Sequence, residues 1–192
     1  MNKYILASSN QNKHLEISSK LNNVVLLNLK DLGYRKNIIE SGSTLKENAL
    51  IKAREIYKEY NTSCISDDTG LEVNALNGAP GVFSARYAGV LASAEENMKK
   101  LLNSLNNIQD RRASFRTVIC LKTKCDEMFF EGVVSGVITA QPIGKSGFGY
   151  DPIFKPDGYT KTFAEMSLNM KNKISHRSIA LSKLTTYLNT VN

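Results

Sequence analysis

The stretch SCISDDTG (residues 63–70) runs from a short apolar strand straight into two adjacent carboxylates, Asp67 and Asp68, followed by Thr69 and Gly70. Side chains alternate along a strand, so only one of the two carboxylates can face a given side of a sheet. One can then point to a ligand while its neighbour serves structure. A carboxylate at a strand end beside a flexible glycine suits magnesium, a hard cation that takes oxygen ligands. An Asp turn closed by Gly70 fits the same residues, and the pair alone does not decide between them.

Upstream, Thr44 and Glu47 have the spacing of a capping box, and Leu45, Ala49, Lys52/Ala53, Ile56 and Tyr60 follow at helical period. KYILASS (3–9) and VVLLNL (24–29) read as two further apolar strands. Between them a helix is expected, with Leu15, Ser18 and Leu21 on one face and Glu16 paired with Lys20. Downstream, Ser93 and Glu96 form a second capping box ahead of Met98, Leu101, Leu102 and Leu105. ASFRTVICLK (113–122) and MFFEGVVSGVI (128–138) read as long strands joined by a hairpin at Lys124–Asp126. Phe115, Thr117, Ile119 and Leu121 share one face of the first. Thr162 and Glu165 open a short helix, and Ser175 caps a last one with Ala180, Leu181, Leu184, Tyr187 and Leu188 on its apolar side. Strands and helices therefore mix, and at least one strand pair is antiparallel. The expectation is an α/β fold with a mixed β-sheet flanked by helices.

Composition narrows the class. The 192 residues suit one large domain or two closely fused lobes. No stretch approaches the roughly 20 apolar residues of a membrane span, and the first apolar run is too short for a secretory signal, which places the protein in the cytoplasm. Cys64, Cys120 and Cys125 lack metal-type spacing, and the first two lie in apolar runs as buried thiols. The formal net charge is +7. Such a surface draws polyanions, but no dense basic run interleaved with aromatics occurs, so stable nucleic-acid binding is not expected.

Four further segments carry chemistry. SSNQNK (8–13) joins a strand to a helix start, where free N–H groups favour phosphate. Ser8, Ser9 and Asn10 add donors there and Lys13 a charge. GFGYDP (147–152) offers close backbone approach at its glycines, flat faces at Phe148 and Tyr150, and an acceptor for ring nitrogens at Asp151. SHR (175–177) puts His176 and the Arg177 fork at a helix start. Glu40 precedes the second helix, and Lys52 lies on that helix's apolar face, where it must snorkel or meet an anion.

The order and spacing of SSNQNK (8–13), ESGSTLKENALIKA (40–53), SDDTGLEVNALNGAPGVFSARYAG (66–89), GFGYDPIF (147–154) and SHRSIAL (175–181) resemble those of the inosine/xanthosine triphosphate pyrophosphatases, the house-cleaning Ham1-like family, over nearly the whole chain. The resemblance implies an elongated two-lobed single domain over 1–192 with a central active-site cleft, and a homodimer. It implies Mg2+-dependent attack of water on the α-phosphorus of ITP, dITP or XTP, giving monophosphate and pyrophosphate and keeping these purines out of DNA and RNA. By the same resemblance, Asp68 is the proton acceptor and a metal ligand with Glu40. Ser8, Ser9, Asn10, Gln11, Asn12 and Lys13 hold phosphates with Lys52, and Thr69 contacts substrate. Phe148, Gly149, Tyr150 and Asp151 form the base pocket, closed by Lys171, His176 and Arg177, with Arg177 suited to a 6-keto oxygen. Ser9 stands where the family usually has glycine, which would tighten the backbone there, and SDDTG replaces the usual ADDSG. A Maf-like pyrophosphatase acting on other nucleotides and a nucleotide sensor without hydrolysis are the competing readings.

Overall fold

Alternating strands and helices shape the N-terminal part of the chain in the computed structural model, which describes residues 2–21 and 24–190. The order is β1 (Lys3–Leu6), α1 (Gln11–Ser18), β2 (Val25–Asn28), α2 (Leu45–Tyr60), β3 (Cys64–Val73), β4 (Pro80–Gly81), α3 (Ala94–Ser104), β5 (Arg112–Lys122), β6 (Glu127–Ile138), β7 (Phe154–Pro156), α4 (Leu168–Ile174) and α5 (His176–Thr190), with short 3-10 turns between. The strands form a sheet in the order β2-β1-β3-β5-β6-β7, with β4 added beside β3. β1 lies parallel to β2 and β3, while β4 and β7 run antiparallel to β3 and β6. The expected mixed sheet flanked by helices is what forms.

The chain divides into two units. The first takes the segments up to Asp68, Thr117–Gly132 and those from Arg177 onward; the second takes Thr69–Arg116 and Val133–His176. In the first unit the period of two sorts the strand residues onto two faces. Tyr4, Leu6, Ile65, Ile119 and Leu121 pack with Ile17 and Leu21, in and just after α1, and with Ala180, Leu181, Leu184 and Leu188 of α5. Their strand neighbours Ile5, Ala7, Cys64 and Cys120 pack with Ala49, Ala53 and Ile56 of α2. This half of the sheet is thus covered on both sides, which is why its strands read as continuous apolar runs. Burial pushes the Cys64 and Cys120 thiols up to about 12, as suits inert core residues.

The second unit closes around Leu71, Val73, Leu101, Leu105, Phe115, Ile153, Phe154 and Phe163. Phe115 meets Phe154 edge-on, ring centroids 4.7 Å apart. The capping boxes expected at Thr44/Glu47 and Ser93/Glu96 both form; Thr162 and Glu165, expected to open a short helix, make a third box on a single 3-10 turn. The hairpin between β5 and β6 closes through Thr123 N–H donating to the Asp126 carbonyl at 2.9 Å.

Two local expectations differ from the structure. Leu15 is 62% exposed, and α1 turns Glu16 and Ile17 inward instead. Glu16 does not pair with Lys20, because it is buried against a more distant cation, described below. The helix α4 had no strong apolar period to announce it; its N-cap Ser167, whose side chain accepts from Met170 N–H, is the local signal that was there. Among described residues no helix is long and apolar enough to cross a membrane. The packing predicts that Leu184→Ala, which empties a fully buried site, lowers unfolding free energy by about 2–5 kcal/mol. Leu15→Ala should change it by less than about 0.5 kcal/mol, both read by denaturant unfolding.

Candidate functional site

The middle of β3 supplies the centre of the first unit's polar cluster; the strand does not end at the Asp pair as expected but runs on through Thr69 and Gly70 to Val73. Cys64, Ser66 and Asp68 alternate toward α2: the Cys64 thiol lies 2.9 Å from the Ala53 carbonyl and the Ser66 hydroxyl donates to the Ala49 carbonyl at 2.5 Å. Ile65 and Asp67 alternate toward α1 and α5. The two carboxylates therefore part, as strand geometry requires, and each finds its own cation.

On the α2 face the Lys52 ammonium donates to Asp68 Oδ1 at 2.9 Å and to Glu40 Oε1 at 2.6 Å. The expectation that Lys52 must snorkel or meet an anion is met by two anions. Burial works against the Lys52 charge, yet Asp68 and Glu40 hold its pKa above the ordinary value. Burial raises the Asp68 carboxyl above the usual range, by more than the Lys52 charge lowers it. On the opposite face Asp67 Oδ2 meets Lys13 Nζ at 3.1 Å and Arg177 Nε at 3.3 Å. Arg177 Nη1 also pairs with Glu16. Burial alone would raise the Asp67 carboxyl, but Lys13, Arg177 and Lys52 together hold it far below the usual range. Burial conversely draws the Lys13 ammonium below its ordinary value, against the pull of Asp67.

Arg177 departs from its expected exposure to a base. It is 1% exposed, with its guanidinium held by Glu16 and Asp67. Two carboxylates this deep require a cation that stays charged and offers several donors, and a guanidinium does both.

The loop before α1 lies beside this cluster, because Ala7 N–H donates to the Ile65 carbonyl at 2.8 Å. Asn10 caps α1, its side chain accepting from Asn12 N–H and Lys13 N–H. Ser8 Oγ accepts from Asn10 N–H at 3.3 Å. Ser9, Asn10, Gln11 and Asn12 are exposed and Ser8 and Lys13 half-buried. Ser9 does not occupy the positive-φ region, so the backbone has no left-handed strain that glycine alone would relieve.

Residues for a hard cation are present. Glu40 and Asp68 converge on one ammonium, which shows that two carboxylate oxygens reach a common positively charged point. A pair of carboxylates completed by phosphate oxygens and waters is an ordinary magnesium donor set. Among described residues no group of three or more His, Cys, Asp or Glu side chains is placed to hold a metal ion, so Glu40 and Asp68 form a two-carboxylate set only.

The second unit brings together the other expected residues. Asp151 Oδ2 accepts from Lys171 Nζ at 2.7 Å and from Phe148 N–H at 2.8 Å. A Cβ on Gly147 would fall 2.1 Å from that oxygen, and Gly147 has φ +78°, so only glycine fits. Lys171 Nζ stands 4.8 Å from the centroid of the Phe148 ring. His176 stacks on Phe115 with centroids 4.6 Å apart. Two expectations change here. Tyr150 offers no open face: it is 4% exposed and its hydroxyl donates to the Ser84 carbonyl at 2.9 Å. Asp151 is also buried, serving as counter-ion to Lys171. Thr69 follows Asp68 in β3 and falls in the second unit.

Sequence reasoning missed Glu16, Phe115 and the role of Asp67 as a separate ionic centre. Glu16 lies three residues after Lys13, a spacing that puts the two on one helix face, and that signal was available.

Comparison with known proteins places these residues in context. The Ham1 family model matches residues 4–187. The chain is 48% identical to the dITP/XTP pyrophosphatase of Christiangramia forsetii, covering 97% of this chain and 98% of that one. It is 46% identical to the dITP/XTP pyrophosphatase of Flavobacterium johnsoniae, covering 95% of each. The solved structure of the Staphylococcus aureus Ham1 protein superposes with a TM-score of 0.92 at 41% identity, covering 100% of both chains.

The ionic geometry makes two predictions. Arg177→Met leaves two buried carboxylates short of a partner and should cost about 3–5 kcal/mol in denaturant unfolding. Asp67 has a folded pKa below its unfolded value, so its contribution is fully present above about pH 5 and fades as pH falls below the ordinary aspartate value of about 3.9. Asp67→Asn should therefore be most destabilising near neutrality, with the gap to wild type narrowing in unfolding series taken toward pH 3.

Proposed function

The chain belongs to the Ham1 family, and we propose that it hydrolyses the non-standard purine nucleoside triphosphates ITP, dITP and XTP to monophosphate and pyrophosphate, keeping them out of DNA and RNA. The observation that carries this reading is the parting of Asp67 and Asp68 to separate cations. It leaves Asp68, with Glu40 and Lys52, as a compact acid–base and charge-binding group on the α2 side of β3.

Asp68 would accept the proton of the attacking water. Its raised pKa suits a base that must take up that proton. Lys52 and Lys13 would offset phosphate charge, with the exposed loop Ser8–Asn12 around α1's start adding donors. Glu40 and Asp68 would hold a magnesium ion, which when bound polarises phosphoryl oxygen and orients water. Arg177 and Glu16 keep Asp67 fixed and ionised, so that Lys13 has a constant partner.

Phe148, Gly149, Lys171 and His176 are assigned to the purine, with the buried Tyr150 and Asp151 holding them in place through Ser84 and Lys171. The Lys171 ammonium beside the Phe148 ring suits an acceptor, such as the 6-keto oxygen of hypoxanthine or xanthine. A 6-amino purine would set donor against donor, a mismatch that discriminates strongly. One catalytic domain over 1–192, contact of Thr69 with substrate, a homodimer and a cytoplasmic setting complete the proposal.

Product analysis with magnesium tests it. ITP and XTP should yield pyrophosphate and monophosphate much faster than ATP and GTP, and chelation should abolish turnover. Asp68→Asn should lower kcat by at least about a hundredfold with the fold retained by circular dichroism. Equal rates on ATP and ITP would sink the specificity, and near-normal kcat in Asp68→Asn would remove that residue from the proton-acceptor role.

A further inference from the structure

Asn48 stands within the first unit's cluster, yet none of the roles above uses it. It lies four residues before Lys52 on α2, so the two share a helix face, and it is 0% exposed. Its Oδ1 accepts from Gly42 N–H at 2.8 Å. That contact also identifies the two ends of the carboxamide: an N–H donor requires the oxygen, so the other end is the NH2 group. This Nδ2 is buried and has no hydrogen-bond partner among the described residues. Native proteins rarely leave such a donor unmet.

The contacts between β3 and α2 fix its position. Cys64 stands against Ala53 and Ser66 against Ala49. Two residues forward along the strand, roughly 6.6 Å, match four back along the helix, about 6 Å. The next step brings Asp68 level with Leu45, and Asn48 falls between Ser66 and Asp68. Lys52 reaches the same carboxylate because its long side chain leans toward the helix N-terminus. Asn48 is therefore bordered by the part of β3 carrying Asp68, the Lys52 ammonium and the backbone at Gly42. That backbone is pressed close, since a Cβ on Gly42 would lie 2.6 Å from Glu47 Cβ and 2.8 Å from Asn48 Oδ1. Glu40 is two residues away on the same segment.

The missing acceptor has a definite chemistry. Lys52 only donates, and the Asp68 and Glu40 oxygens nearest it are already drawn to its ammonium. Water on a metal ion presents its hydrogens outward and accepts poorly. An anionic phosphoryl oxygen accepts strongly from an amide N–H and suits a place beside Lys52. We infer that Asn48 is a phosphate-binding residue with two ends: Oδ1 fixes the segment that carries Glu40, and Nδ2 donates to a phosphoryl oxygen of the bound substrate or its pyrophosphate product. This rests on the pyrophosphatase reading.

Asn48→Asp tests it, because Asp keeps an acceptor for Gly42 N–H and replaces the donor with an anionic oxygen. Calorimetric titration with magnesium pyrophosphate, with α,β-imido inosine triphosphate and with inosine monophosphate should show binding at least about tenfold weaker for the first two. A parallel loss for the monophosphate assigns the contact to the α-phosphoryl group, and an unchanged monophosphate affinity to the outer phosphates. Pyrophosphate affinity within about twofold of wild type, or tighter, overturns the inference while leaving the enzymatic reading intact. Wild-type protein that binds neither pyrophosphate nor the triphosphate analogue overturns both. Should Asn48→Asp not fold, the side-chain amide resonance of Asn48, assigned by triple-resonance spectroscopy of the wild-type protein alone, gives the answer. It should move downfield on pyrophosphate addition, and an unmoved resonance refutes the contact.

Discussion

Two neighbouring carboxylates within a strand cannot face the same way, and a buried carboxylate cannot stay ionised without a cation. Together these constraints organise the first unit. The pleat sends Asp68 toward α2 and Asp67 toward α1 and α5, so cations must arrive from both sides: Lys52 on one, Lys13 and Arg177 on the other. A register slip of one residue in β3 would exchange the two faces, placing each carboxylate against the wrong helix. The apolar residues preceding the pair, with Ile65 in one packed face and Cys64 in the other, fix that register.

The choice of cation follows depth. Arg177 is wholly enclosed and must satisfy both Asp67 and Glu16, which a planar fork that never loses its charge can do. Lys13 and Lys52 stand nearer the loop residues, where a compact ammonium on a flexible stem can serve a carboxylate and a transient anion in turn. The second unit repeats the pattern once, with Lys171 and Asp151 paired in the interior against aromatic rings.

Local chemistry in the sequence reveals what local chemistry builds. The capping boxes, the strand entering Asp67-Asp68, the hairpin at residues 124–126 and the anomalous lysine on the apolar face of α2 could all be read from neighbouring residues, and the structure contains each. Partners far apart in sequence could not be read this way. Arg177 and Glu16 are separated by 161 positions and Arg177 and Asp67 by 110, so a guanidinium that looked available for a base proved to be committed. Tyr150 and Asp151 misled for the same reason, since Ser84 and Lys171 answer them only once the chain has folded. Family resemblance could propose residues for the site, but it could not say which of them are already bound to one another.

The charge count of the first unit's cluster then bears on how a polyanion could enter it. Lys13, Lys52 and Arg177 bring three positive charges, while Glu16, Glu40, Asp67 and Asp68 bring four negative ones. The ionised cluster is therefore net negative by one, although the whole chain carries +7. A triphosphate approaching it meets cations that are already neutralised. With a divalent ion held by Glu40 and Asp68 the sum would become positive, and Lys52 would be free to turn toward phosphate. On this view a need for metal would follow from the way the carboxylates and cations pair. The distributed basic surface would serve approach, while affinity at the cluster would depend on the ion and on directional donors such as the proposed one at Asn48.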